Sequence, residues 1–205
     1  MRHEIKGRRC LDHSTPVHLC EWQTPEQLFA RANIGGLNRE QFFCSREAKR
    51  MREAWILGRI GMLLPVLRVR LSPDDAPDGF FEIANFGTFP VEVTELLQKG
   101  RRRGVEDYSS LEVVHQNHDE LTAAIDGNAA WLGELINKKL DREHNYPPKT
   151  VLLIYHNTSL YNFDAERVCS ELESASRVRG KNIVGSLILF DGRVYGQSIL
   201  ERLLL

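Results

Sequence analysis

Three short segments in which apolar and polar side chains alternate constrain the fold more than any other feature of the sequence. They lie at residues 66–71, 80–85 and 89–97, and short segments rich in turn-forming residues join them. Alternation with a period of two is typical of a strand that buries one face. Because strands with short connections pair in antiparallel fashion, the pattern predicts a three-stranded meander.

Helical patterns precede these strands. Residues 24–36 predict a short helix with Thr24 as the N-cap, Pro25 in the first turn and a glycine stop. A second helical pattern starts at Asn38 and ends at Pro65, which cannot continue a helix. We therefore expect helices on the N-terminal side of the meander.

A second group of elements follows the meander. Apolar residues on one face predict a long helix from about residue 119 to residue 142, and an apolar run at 150–157 is typical of a buried strand. A helix at 164–178 and two strands joined by an Asp191–Gly192 turn complete the pattern. This order predicts an α/β fold with a mixed sheet flanked by helices. We expect residues 1–45 to form an N-terminal arm and helical extension, and residues 46–205 to form the α/β domain.

The composition favours a globular protein without a membrane anchor. The chain of 205 residues is 42% hydrophobic and 27% charged, enough apolar material for a core. No run approaches the roughly 18 apolar residues that span a bilayer, and no apolar core of a signal peptide follows the charged N-terminus. The four cysteines are widely spread, so we expect reduced thiols and a cytoplasmic location. The sequence leaves the oligomeric state open, a homodimer included.

Basic residues form local clusters although the net charge is only −1. The clusters lie at residues 46–52, at Arg68 and Arg70, at 99–103 and at 138–142. Clusters that share a face can bind phosphates, whereas separate clusters are solvated surface. We expect the last two clusters on the same side of the molecule as the acidic pair described next.

Asp78 and Glu92 form a candidate metal site. A strand interior disfavours Glu, and a half-buried carboxylate costs free energy unless a partner stabilises it. If Val91 and Val93 face the core, Glu92 lies on the other face and meets Asp78 of the neighbouring strand. Two such carboxylates within about 6 Å of each other suit Mg²⁺ or Mn²⁺. The alternatives are an ordinary turn former at Asp78 and an exposed edge-strand residue, paired with an arginine, at Glu92.

The order of elements and these two acids resemble the PD-(D/E)xK nuclease superfamily. The first half of the motif corresponds to Pro77 and Asp78, the second half to Glu92, Val93 and Thr94, and the resemblance spans about residues 47–157. It implies a restriction-endonuclease-like fold and metal-dependent hydrolysis of DNA, with Asp78 and Glu92 as the metal ligands.

One position departs from the motif, because Thr94 stands where the superfamily has a lysine that positions or activates the attacking water. The resemblance makes Lys138 and Lys139 of the following helix the candidates for this catalytic role, and Lys139 lies near the apolar stripe of that helix. Glu53 matches an accessory acid of some members, although a lone helical Glu is expected at the surface. If neither lysine reaches the site, the chain is a non-catalytic nucleic-acid-binding or protein-interaction module.

Two other groups contain metal-type ligands. Cys10, His13, His18 and Cys20 have the residue types of a structural zinc site, but their spacing matches no standard finger. A predicted loop contains His115, His118 and Asp119. Loop histidines without partners usually neither act as a catalytic base nor bind a metal. The hairpin acids therefore remain the favoured metal site.

Overall fold

A mixed sheet of six strands forms the centre of the molecule, and the strands lie in the sheet in their sequence order. The computed structural model describes residues 16–32, 48–96, 130–142, 145–156, 166–167, 170, 182–190 and 193–195. The strands are β1 (Val66–Leu71), β2 (Gly79–Ile83), β3 (Gly87–Leu96), β4 (Thr150–His156), β5 (Ile183–Phe190) and β6 (Arg193–Tyr195). Strands β1, β2 and β3 pair antiparallel, β3, β4 and β5 pair parallel, and β6 returns antiparallel to β5. The predicted meander and mixed sheet are thus confirmed.

The turn between β2 and β3 explains why the strand boundaries differ from the predicted ones. Strand β2 ends at Ile83, two residues before the predicted end, because Asn85 of the following turn adopts a positive φ angle of 67°. Gly87, with a φ of 83°, closes the turn and begins β3. Left-handed backbone of this kind ends a strand and closes a tight turn. Strand β3 starts directly at Gly87, two residues earlier than predicted.

Two helices precede the sheet, as predicted. Helix α1 (Pro25–Arg31) starts with a capping box, in which the Gln27 amide donates to Thr24 Oγ1 at 3.3 Å and the Thr24 amide donates to Gln27 Oε1 at 3.0 Å. Two amide groups that the first turn would leave unpaired are thereby satisfied. Helix α2 (Lys49–Gly61) leads into β1. The predicted start of this helical stretch, at residues 38–47, lies outside the described residues.

The later elements are described in part. Helix α3 is described over residues 130–140, within the predicted helix, and residues 119–129 lie outside the described residues. The predicted helix at 164–178 is described only at residues 166, 167 and 170, which are helical. Strands β5 and β6 pair as expected, while their predicted Asp191–Gly192 turn also lies outside the described residues.

The sheet carries a core on each face. One core joins α1 and α2 to the sheet and includes Leu28, Leu57, Val69, Val91, Val151 and Leu153. The other joins α3 to the opposite face and includes Leu96, Leu132, Ile136, Leu152 and Ile154. Successive residues of β4 thus enter opposite cores, as expected for a buried parallel strand. In the part of the chain that the structure describes, no helix is long and apolar enough to cross a membrane.

The N-terminal extension covers the free edge of the sheet. Gln23 pairs with Val69 of β1 through two backbone hydrogen bonds, of 3.1 Å from the Gln23 amide and 2.8 Å from the Val69 amide. This bridge satisfies backbone groups of an edge strand that would otherwise attract another chain. Leu19 and Leu28 of the extension lie in the same core as α2. Residues 16–32 therefore pack as part of the α/β domain.

The contact between α1 and α2 depends on a glycine. A Cβ atom at Gly58 would lie 2.7 Å from the backbone nitrogen of Phe29. Helix propensity alone favours alanine over glycine by about 1 kcal/mol, whereas overpacking costs about 1–3 kcal/mol. We expect Gly58→Ala to lower the free energy of unfolding, measured by chemical denaturation. An unchanged or higher value would contradict the close approach of the two helices.

Candidate active site

Asp78 and Glu92 occupy facing positions on neighbouring strands. Gly79, the first residue of β2, pairs with Val91 of β3, so the next pair outward places Asp78 opposite Glu92. Directly opposed residues of antiparallel strands lie on the same face of a sheet. Val91 and Val93 pack into the core beneath α1 and α2, so Glu92 lies on the α3 face. The strand pattern therefore predicted the sharing of a face correctly, while the 6 Å separation of the carboxyl groups stays a prediction.

Asp78 is buried, although it ends the bent segment of residues 73–78. Only 3% of its surface is exposed, and its Oδ2 accepts a hydrogen bond of 2.8 Å from the Val93 amide. Strand β3 extends beyond the start of β2, so this carboxylate takes the place of a strand partner for Val93. Asp78 thus lies in a turn segment, as the alternative of an ordinary turn former expects, but it is buried and hydrogen-bonded to β3.

The environment of Asp78 opposes its ionisation. Burial and the negative charges of Glu53 and Glu92 raise the pKa of Asp78 to about 8, although the Val93 amide and Lys49 act in the opposite direction. Asp78 is therefore close enough to Glu53 and to Glu92 to be repelled by both. At neutral pH this arrangement favours either a proton on Asp78 or a nearby cation.

The two carboxylate oxygens of Glu92 differ in their hydrogen bonds. Its Oε1 accepts hydrogen bonds from Lys139 Nζ at 2.9 Å and from the Tyr146 hydroxyl at 3.3 Å. Its Oε2 is buried and has no partner among the described residues. Strand β3 lies between β2 and β4, so the edge-strand alternative for Glu92 is wrong. A buried oxygen without a partner costs free energy, and a bound ligand would remove that cost.

Of the two lysine candidates, the structure brings Lys139 to the acids. Burial lowers the pKa of Lys139, but the hydrogen bond and the charge of Glu92 outweigh that effect and raise it overall. The ammonium group therefore stays charged at neutral pH. Lys138 is exposed and lines a neighbouring groove with Glu95 and Trp131. The difference follows from helix geometry, because adjacent helical residues do not share a face.

The acids open into a cleft of about 250 Å³ at the end of the sheet where β1 ends and β2 begins. Thr94 lines it two residues beyond Glu92, on the same side of β3, and is half-buried. The lining residues that carry polar groups are Lys49, Arg52, Glu53, Asp75, Asp78, Glu92, Thr94, Glu95, Lys139 and Tyr155. Acids from a helix, a turn and a strand thus meet cations from two helices in one cleft.

Glu53 corrects the expectation of a surface glutamate. It is only 5% exposed, and its carboxylate pairs with Lys49 Nζ at 3.2 Å and Arg50 Nη1 at 2.8 Å. Both cations precede Glu53 by three or four residues, the spacing at which side chains of one helix meet. That spacing was visible in the sequence, but only the tertiary structure decides that the N-terminal half of α2 is buried against the cleft.

The structure describes some of the other residues that the sequence suggested as binding sites, and others lie outside the described residues. Arg68 pairs with Glu82, and Arg70 stacks against aromatic rings on the same sheet face. The basic residues 99–103 lie outside the described residues. So do Cys10 and His13 of the zinc pattern and the loop residues His115, His118 and Asp119, while His18 is exposed and Cys20 is a free thiol.

The residues at the hairpin fit a magnesium ion. In the described ranges, no group of three or more His, Cys, Asp or Glu side chains is arranged to hold a metal. Mg²⁺ needs only one or two protein carboxylates and takes its other ligands from water and phosphate. The vacant Oε2 of Glu92 and the charge repulsion at Asp78 both favour a cation between these side chains.

Comparison with known proteins gives no family assignment. No family model matches the chain, and no match is found among curated proteins or solved structures. The interpretation of the cleft therefore rests on its own geometry and electrostatics.

The raised pKa of Asp78 predicts that neutralising this residue stabilises the metal-free protein. Between the unperturbed value of 3.8 and the folded value of about 8, the folded state holds a proton that the unfolded state has lost. The free energy of unfolding therefore falls as the pH rises through this window. We expect Asp78→Asn, which keeps an acceptor for the Val93 amide, to raise Tm in EDTA by at least roughly 2–4 °C at pH 8.

The pH dependence separates this effect from a general change in stability. The advantage of Asp78→Asn should shrink towards pH 5, because the wild-type carboxyl then stays protonated in the folded state at little cost. Asp74→Asn provides the matched control, since Asp74 is exposed in the same turn. A lower Tm for Asp78→Asn than for the wild type at pH 8 would contradict the assigned environment.

The contact between Lys139 and Glu92 predicts different effects for the two adjacent lysines. Lys139→Met leaves a buried carboxylate without its cation, and we expect a loss of about 1–3 kcal/mol in the free energy of unfolding. Lys138→Met changes an exposed position and should stay within about 0.5 kcal/mol. Adding Glu92→Gln to Lys139→Met should restore part of the loss. Equal effects of the two single substitutions would exclude the proposed ion pair.

Proposed function

We propose that this protein is a metal-dependent nuclease that hydrolyses phosphodiester bonds of DNA on a restriction-endonuclease-like fold. The observation that carries the proposal is the contact of Lys139 with Glu92, in the cleft that also contains Asp78. This contact supplies from α3 the lysine that the motif lacks at Thr94. The order of helix, antiparallel meander, helix and parallel strand supports the same assignment.

Asp78 and Glu92 are the residues that would hold Mg²⁺ or Mn²⁺. When bound, the cation would stabilise negative charge on the phosphodiester and lower the pKa of a water molecule. The Val93 amide fixes the Asp78 carboxylate, and Lys139 with Tyr146 fixes that of Glu92. Both acids are thus oriented before any ligand arrives, which lowers the cost of binding.

Lys139 acts in this proposal as a cation and a hydrogen-bond donor, because its pKa is raised. A charged ammonium group cannot accept a proton, so its role is to orient the attacking water and to stabilise the charge that develops on the phosphate. Thr94 adds a neutral hydroxyl group to the lining of the same cleft. Glu53 is held by Lys49 and Arg50 and contributes negative charge that strengthens the attraction for a cation.

A non-catalytic module on the same fold is the second candidate. Thr94 favours this candidate. It stands at the motif position that usually holds a lysine, and its side chain has neither the charge nor the length of a lysine. Such a protein would bind DNA or another protein through the cleft without cleavage. Measurements of metal binding and of cleavage together distinguish the two functions.

The test is a cleavage assay on plasmid DNA and on single- and double-stranded oligonucleotides, with Mg²⁺, Mn²⁺ or EDTA. We expect metal-dependent cleavage by the wild type and a loss of roughly 100-fold or more in Asp78→Asn, Glu92→Gln and Lys139→Met. Lys138→Met is the matched control and should keep activity within about twofold, since an exposed substitution leaves the cleft unchanged.

The outcomes separate the proposal from its alternatives. Cleavage that persists in EDTA, or in both acidic variants, would refute the site. Calorimetric binding of Mn²⁺ that Glu92→Gln abolishes, without cleavage of any substrate, would instead support the non-catalytic module. Circular dichroism of each variant shows whether a loss of activity reflects the site or the fold.

A further inference from the structure

A row of side chains lies beside the acidic pair on the same face of the sheet. The strand register places Arg70, Phe80 and Pro90 opposite one another across β1, β2 and β3. Asp78 and Glu92 form the next row on this face, by continuation of the same register. Adjacent rows on one face are separated by two residues along each strand, about 7 Å. Arg70 therefore lies one row from the candidate metal site, although it does not line the cleft.

Two aromatic rings hold the guanidinium group of Arg70. Its central carbon lies 4.5 Å from the centre of the Phe80 ring and 5.1 Å from that of Trp22. Cation–π contacts on this scale fix a long side chain without neutralising its charge. Arg70 Nε is buried and has no hydrogen-bond partner among the described residues. The group is thus held in position as a cation, and it pairs with no carboxylate in the part of the chain that the structure describes.

The charge next to Arg70 on this face is already compensated. Arg68, one row further from the cleft, forms an ion pair with Glu82 across the β1–β2 pair. Burial raises the pKa of the nearby Cys20 thiol, and the charges of Arg50 and Arg70 oppose that rise. Arg70 therefore contributes positive charge at this edge, while Arg68 is balanced.

We propose that Arg70, held by Trp22 and Phe80, binds the phosphate group of a DNA strand that flanks the phosphate at the acidic pair. A strand that places one phosphate at Asp78 and Glu92 must pass over the neighbouring row or leave in the opposite direction. Charge complementarity favours the row of Arg70, because a fixed guanidinium binds phosphate with little loss of side-chain entropy. This inference rests on the proposed function and names the path of its substrate.

The experiment measures DNA binding separately from cleavage. The full-length chain with Asp78→Asn serves as the common background in EDTA, and the fluorescence anisotropy of a labelled duplex gives the affinity at several salt concentrations. Adding Arg70→Gln should weaken binding roughly tenfold and reduce the slope of log affinity against log salt by about 0.9. Arg59→Gln removes the same charge in the last turn of α2, about 15 Å along the helix from Lys49, and should change neither quantity as much.

Substitution of Trp22 tests whether binding needs Arg70 to be held in place or needs only its charge. Trp22→Leu keeps the charge of Arg70, so we expect weaker binding with an unchanged salt slope, and no further loss when it is added to Arg70→Gln. Equal salt slopes for Arg70→Gln and Arg59→Gln, or no measurable binding by the background protein, would overturn the inference. Binding that depends on Arg70 in a protein that never cleaves DNA would support the inference and refute the nuclease proposal.

Discussion

The ion pair between Lys139 and Glu92 is the interaction on which the candidate site depends. It joins the end of α3 to the middle of β3, across 47 positions of the sequence, and Tyr146 hydrogen-bonds to the same carboxylate oxygen. Without this cation the buried Glu92 carboxylate would lose its charge partner and keep only the hydrogen bond from Tyr146, which lowers stability. The pair therefore ties α3 to the central strand β3 at the candidate site.

The cleft concentrates charge that does not favour stability. Burial opposes the ionisation of Asp78, and the negative charges of Glu53 and Glu92 add to this effect, so the pKa of Asp78 rises to about 8. A buried concentration of like charge lowers the free energy of unfolding unless a proton or a cation compensates it. Lys49 pairs with Glu53, Lys139 pairs with Glu92, and the Val93 amide donates a hydrogen bond to Asp78.

The N-terminal extension links the edge of the sheet to the face that carries the site. Gln23 closes the β1 edge through its backbone, and the adjacent Trp22 reaches over that edge to Arg70. A segment that would otherwise be a simple cover for a strand thus also fixes a cation one row from Asp78. Adjacent residues of the extension thus pair with the edge strand and contact a cation of the same strand.

The sequence by itself determined the local structure and the alternation of side chains. The period-two patterns and the short connections predicted the meander, and the alternation of side chains along the strands placed Asp78 and Glu92 on one face. Both predictions depend only on residues that are close together in the sequence. The apolar stripe of the helix already set Lys139 apart from Lys138, but only the tertiary structure decided that Lys139 meets Glu92 and that Glu53 is buried. Those outcomes depend on how α2 and α3 rotate and pack against the sheet, and packing of elements far apart in the chain leaves no local pattern in the sequence.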